Sequence, residues 1–144
     1  MCDHATVSNT VDPAAGDDLV RLHSSASVAA TVDLVREAAR ARGAQVFSVI
    51  DHAAAASSVG MRMPATQVVI VGNPKVGTAL MLSAPDLALD LPTRVLVRES
   101  PSGCEVVLHD PFPLAARCGL SEEQTQLLAG IADLVRRAIA ERVG

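Results

Sequence analysis

Two alternating segments, Thr93 to Glu99 and Cys104 to His109, stand on either side of Ser100-Pro101-Ser102-Gly103. Strands that close in sequence can pair only as an antiparallel hairpin, here across a four-residue loop. Parallel pairing needs a crossover of a dozen or more residues. Upstream, one segment alone has the length and period of a long crossover helix. Val28, Val32, Val35 and Ala39 follow one another at spacings of four, three and four, while Arg36, Glu37, Arg40 and Arg42 point away. Ser24 to Ser27 offer hydroxyls to cap its start, and Gly43 fits the position just past its end, where only glycine adopts the left-handed conformation without penalty.

The remaining segments fill in around these. Leu19, Val20 and Leu22, between Asp18 and His23, read as a first strand. Gln45 to Asp51 reads as a strand with Val46, Ser48 and Ile50 on one side and Phe47 and Val49 on the other. Ala53 to Ser58 has helical propensity without a long period, a short helix or turn before Gly60. Gln67 to Val71 is a buried strand stopped by Gly72-Asn73-Pro74, and Val76 to Ser83 a short helix after that stop. Pro85 and Pro92 bracket an irregular stretch, and Pro111-Phe112-Pro113 ends the hairpin. Ser121-x-x-Gln124 is a capping box opening a helix marked by Leu127, Leu128, Ile131, Leu134, Val135, Ala138 and Ile139. With one long early crossover and a terminal hairpin, the order predicts an α+β domain: two layers, a mostly antiparallel sheet with helices on one face. Residues 1–17 mix Asp, Ser, Thr, Asn, Pro and Gly without an apolar period and read as a flexible leader before a single domain over 18–144.

Several function classes are excluded at this level. The chain carries 12 Lys+Arg against 16 Asp+Glu, a net charge of −4, with two Phe and neither Trp nor Tyr, so both the positive field and the stacking platforms of a nucleic-acid binder are missing. No run approaches 18 uninterrupted apolar residues, so no membrane span is expected, and the N-terminus has no signal-peptide pattern. Three widely spaced cysteines, Cys2, Cys104 and Cys118, suit reduced thiols and a cytoplasmic location.

The candidate chemistry lies in a few motifs. Gly72-Asn73-Pro74-Lys75-Val76-Gly77-Thr78 has the glycine spacing and threonine of a phosphate loop but lacks the lysine before Thr78, and Pro74 removes an amide donor. That argues against a nucleotide triphosphatase and leaves Lys75 with the helix-start amides as a receptor for a small anion or carboxylate. Asp51-His52 ends a strand, where His52 could serve as base or ligand. The histidines and cysteines show no metal-ligand spacing; only tertiary convergence of His52, His109 and Cys118 would build a metal site, and none is expected. No cofactor is implied.

Taken together, Phe47-Ser48-Val49-Ile50-Asp51-His52-Ala53, then Val69-Ile70-Val71-Gly72-Asn73-Pro74-Lys75-x-Gly77-Thr78-x-Leu80-Met81, then Leu89-Asp90-Leu91-Pro92-x-Arg94-Val95-Leu96-Val97, resemble the domain of unknown function 302 family from about Leu19 to the end. The resemblance implies a β-α-β4-α domain of the TATA-binding-protein-like group of folds, usually a homodimer, with no DNA-binding inference. Two positions depart from the family pattern. Arg98 stands where members usually carry an aromatic, and Cys118 stands where they tend to have histidine in Arg-His-Gly-Leu.

Two functional readings follow, beside a third in which the motif residues only shape turns. The first is a non-enzymatic small-ligand-binding or regulatory homodimer. His52, Asn73, Lys75 and Asp90 would supply its polar contacts and Met61, Met63 and Met81 its apolar lining. The second is an enzyme using His52 as acid/base or Cys118 as nucleophile.

Overall fold

The computed structural model describes residues 18–140; the leader read over 1–17 lies outside them. Five strands form one sheet: β1 (Leu19–Ser24), β2 (Gln45–Asp51), β3 (Thr66–Gly72), β4 (Thr93–Ser100) and β5 (Gly103–His109). Their spatial order is β1-β5-β4-β3-β2, every neighbouring pair antiparallel. The two edge strands are joined by α1 (Val28–Ala41), which crosses one face of the sheet. This is the expected α+β architecture with helices on one face.

Each element forms for a local reason. Ser27 caps α1 by accepting from the Ala30 amide at 3.1 Å, and Gly43 follows its end at φ +72°. Val28, Thr31, Val32, Val35 and Ala39 are its buried stripe. They pack on Val69, Val71, Val95, Val97 and Val106, all fully buried, and on α6 (Gly130–Ala140) through Leu134, Val135 and Ile139. Beneath the start of α1, Ser24 Oγ lies 2.8 Å from Thr31 Oγ1, and the Cys104 thiol donates to that same Thr31 oxygen at 3.2 Å. All three side chains are buried, so each satisfies a group that water does not reach.

The structure corrects the sequence reading at four places. In β2, Val46 opposes Val71 but Ser48 opposes Ile70, so Phe47 is an inserted bulge residue. The bulge resets the alternation. Val46 and Val49, not Val46 and Ser48, share the core face. The β4–β5 loop has two residues, Pro101 and Ser102, because Ser100 already pairs with Gly103. Gly103 sits at φ +138°, and a Cβ there would collide with the Ser24 carbonyl, so the end of β1 closes on the hairpin only over a glycine.

Pro111 does not end structure but begins it. Asp110 accepts from the Phe112 amide at 3.0 Å and opens α4 (Pro111–Arg117), in whose first turn a proline lacks no needed amide. The last helix is broken in two, α5 (Glu122–Leu128) and α6, at Ala129-Gly130. The capping box of Ser121 and Gln124 is present as read.

Two short helices complete the chain, α2 (His52–Ser58) and α3 (Pro74–Ser83), with a 3-10 turn over Pro85–Leu89 in the stretch expected to be irregular. That stretch, α3, α4 and α5 gather at one end of the sheet around a second apolar cluster of Leu80, Leu87, Ala115 and Leu128. Among the described residues no helix is long and apolar enough to cross a membrane.

Candidate functional site

The end of the sheet where β3 stops and β4 starts is where the Gly72–Thr78 motif lies. Gly72 ends β3, and Asn73 caps α3 by accepting from the Lys75 and Val76 amides at 3.1 and 3.3 Å. Pro74 takes the first helical position, where its fixed φ suits the helix. The motif therefore turns strand into helix and leaves one side of α3 facing the α5–α6 break. Between them opens a cleft of about 550 Å³.

The cleft is mostly apolar. Phe47, Val76, Leu80 and Met81 line it from the sheet end and α3, and Ile131 and Leu134 from α6. Leu91 and Pro92, joined by a cis peptide, come from the start of β4. Phe47 and Leu127 are each nearly half exposed. Two glycines shape the cavity. A Cβ on Gly72 would stand 3.2 Å from Pro92 Cβ and 3.6 Å from Phe47 Cε2, so the bare backbone lets these side chains close in. A Cβ on Gly77 would meet only Met81 Cε, at 4.0 Å, so its missing side chain is open volume. Among the described residues the polar groups of the lining are few: Asn73, Thr78, Thr93 and Gln126, with Arg42 as the one charged residue.

The sequence-predicted residues are dispersed around this cleft. Asn73 and Met81 line it. Lys75 is exposed on the first turn of α3, outside the lining. Asp90 lines a second, smaller cleft of about 240 Å³ with Arg94, His109, Asp110 and Arg117; Leu91, Thr93 and Leu128 form the shared wall. His52 begins α2 at the far end of β2. Since Gln45 pairs with Gly72 and Asp51 with Gln67, six residues of strand, roughly 20 Å, separate it from Asn73. Met61 and Met63 lie exposed on the loop after α2, also outside the lining. Cys118 is half-buried against the second apolar cluster.

His109 ends β5 at the cleft end of the sheet, so His52 and His109 stand at opposite ends; among the described residues no group of three or more metal-ligating side chains forms. The sequence reading missed Arg42, Phe47 and Gln126 because each reaches the cleft through tertiary packing. Gly130, at a helix break, is the one local signal that a wall would form there.

Arg98 faces Glu105 across the β4–β5 pair and bonds to it at 2.7 Å, while Arg21 bonds the other Glu105 oxygen at 2.9 Å. The three side chains form a part-exposed charge ladder on the sheet face turned away from α1 and α6.

A one-sided α+β sheet with a cleft where β3 turns into α3 defines the class of domain. Residues 20–141 match the model of the family described as Domain of unknown function DUF302, and the chain belongs to that family. An uncharacterized conserved DUF302 protein from Bacillus stearothermophilus has the same fold, with a TM-score of 0.74 over 87% of this chain and 98% of that one, at 13% identity. A stretch of 108 residues is 41% identical to the fluoride-specific ion channel FluC 1 of Brucella suis biovar 1 (strain 1330), covering 73% of this chain and 42% of that protein. The FluC 1 protein of Brucella abortus biovar 1 (strain 9-941) matches at the same identity over 40% of its length. The chain thus spans about two-fifths of the length of these curated relatives.

Proposed function

We propose that this chain is a non-enzymatic regulatory module that binds a small molecule in the cleft between α3 and the α5–α6 break and works as a cytoplasmic homodimer. The observation that carries the reading is the cleft itself. At about 550 Å³ it has the size of a small-ligand site, and it is lined by apolar side chains with a few polar groups, the usual composition of such sites. Asn73 is its polar anchor; Lys75 at the start of α3 and Asp90 in the adjoining cleft stand near it, and His52 and Cys118 have no part in it.

A regulatory rather than catalytic role is supported by the relatives. There the matching region makes up two-fifths of proteins named as fluoride-specific ion channels, so a domain of this family occurs within a transport protein. Dimerisation is supported by the sheet face turned away from α1 and α6, which leaves Ile50, Val68, Ile70 and Leu96 partly exposed. The cytoplasmic placement is supported by two cysteines, Cys104 and Cys118, that are both free thiols.

Native mass spectrometry of the freshly purified chain tests the reading. The expected result is twice the chain mass plus a stoichiometric excess that gives the mass of the retained ligand. A monomer contradicts the assembly, and a dimer without excess that also takes up no added small amphiphile contradicts the binding role.

A further inference from the structure

We infer that the cleft takes an amphiphile with an anionic head, a carboxylate carried on an unbranched apolar chain, and that Arg42 holds the head. The inference rests on the binding reading above and specifies its ligand.

The cleft selects by charge as well as by shape. Among the described residues Arg42 is the only charged one in its lining. It follows α1 as its C-cap residue and is exposed; a long cationic side chain in such a place covers apolar surface with its stem while its guanidinium stays in water. Among the described residues Arg42 forms no ion pair, whereas Arg21 and Arg98 are both engaged by Glu105. Arg42 is therefore available to an incoming acceptor.

The other polar groups point the same way. Asn73 Oδ1 is committed to two amides of α3, so the Asn73 side chain has its amide hydrogens left to donate. A carboxylate accepts and does not donate, which suits a lining whose residues include a guanidinium and a side-chain amide with hydrogens to donate. A cationic amphiphile would meet Arg42 and find no carboxylate among the described residues of the lining. The wall of Phe47, Val76, Leu80, Met81, Ile131 and Leu134 gives the apolar chain its place, and the side chain absent from Gly77 keeps the path beside α3 open.

The test is calorimetric titration of the full chain with decanoate, decanol and decylamine, each below its micelle-forming concentration and at low ionic strength. Decanoate binds about five-fold more tightly than decanol, the upper end of what one exposed ion pair supplies, and decylamine binds most weakly. Added salt narrows the gap. Arg42→Gln brings decanoate down to the affinity of decanol and leaves decanol unchanged; a thermal melt of that variant checks its fold. Equal affinity for decanoate and decanol in the unaltered chain would overturn the head-group assignment while leaving the cleft a binding site. Binding of none of the three would overturn both.

Discussion

Gly77 and Met81 face each other one turn apart on α3, and a Cβ on Gly77 would touch nothing but the Met81 methyl, at 4.0 Å. The cleft owes part of its volume to that missing side chain. Gly77→Leu should therefore do two things at once. Replacing a helical glycine stabilises the helix by about 1 kcal/mol, a rise in melting temperature of roughly 3–6 °C. The new side chain also fills the cleft, so amphiphile binding is lost. Differential scanning calorimetry and a binding titration on the same sample check both. A variant that is stabilised and still binds places the ligand elsewhere.

Asn73 and Lys75 separate the cap from the charge. Asn73→Ala removes the side chain that accepts from two α3 amides and should cost about 1 kcal/mol in urea unfolding. Asn73→Asp keeps the acceptor and most of that stability. Lys75→Ala, at an exposed position outside the cleft lining, should stay within about 0.5 kcal/mol of the parent chain.

The strands and α1 are legible in the sequence because their signals are local: alternation of period two, an apolar stripe of period 3.6, a capping hydroxyl and a terminal glycine. The bulge at Phe47 is not, because it is defined by which residues of β3 stand opposite, and nothing within Gln45–Asp51 records that register. Pro111 misleads for a physical reason. Proline stops strands and starts helices with the same missing amide, and the Asp110 cap decides between the two. The cleft is half legible. The Gly72–Thr78 motif marks one wall, but Arg42, Phe47 and Gln126 come from elements that meet it only in the folded chain. His52 and Asn73 both follow strands in the sequence, but the antiparallel order puts them at opposite ends of the sheet.

Thr31 joins Ser24 and Cys104 in a buried polar cluster under α1. Thr31→Val keeps the shape and removes the hydroxyl, leaving the Cys104 thiol without that acceptor and the Ser24 hydroxyl without that partner. The expected loss is about 1–3 kcal/mol, read as a lower urea midpoint at unchanged slope. No loss would mean that the cluster contributes shape alone.

The thiols differ in access. Cys104 is fully buried and Cys118 half-buried. Alkylation of the native protein followed by peptide mapping should label Cys118 and spare Cys104 until urea unfolds the chain. Early labelling of Cys104 would contradict the packing of α1 over β5.

Leu87 is the fully buried residue of the 3-10 turn and packs with Leu80, Ala115 and Leu128 behind the cleft. Leu87→Ala should cost about 2–5 kcal/mol despite lying between two prolines in a stretch without helical period. A loss under about 1 kcal/mol would mean that this end of the domain is not packed as a core.

The central claim is that the ligand sits between α3 and the α5–α6 break, and amide chemical-shift mapping by NMR during titration with decanoate tests it most directly. The account predicts that the shifts concentrate on Gly72–Thr78 and on residues 126–131, with Arg42 and Phe47, and leave His52, Met61 and Met63 unmoved. Shifts centred on the His52 end of the sheet, or none at any residue at saturating decanoate, would contradict it.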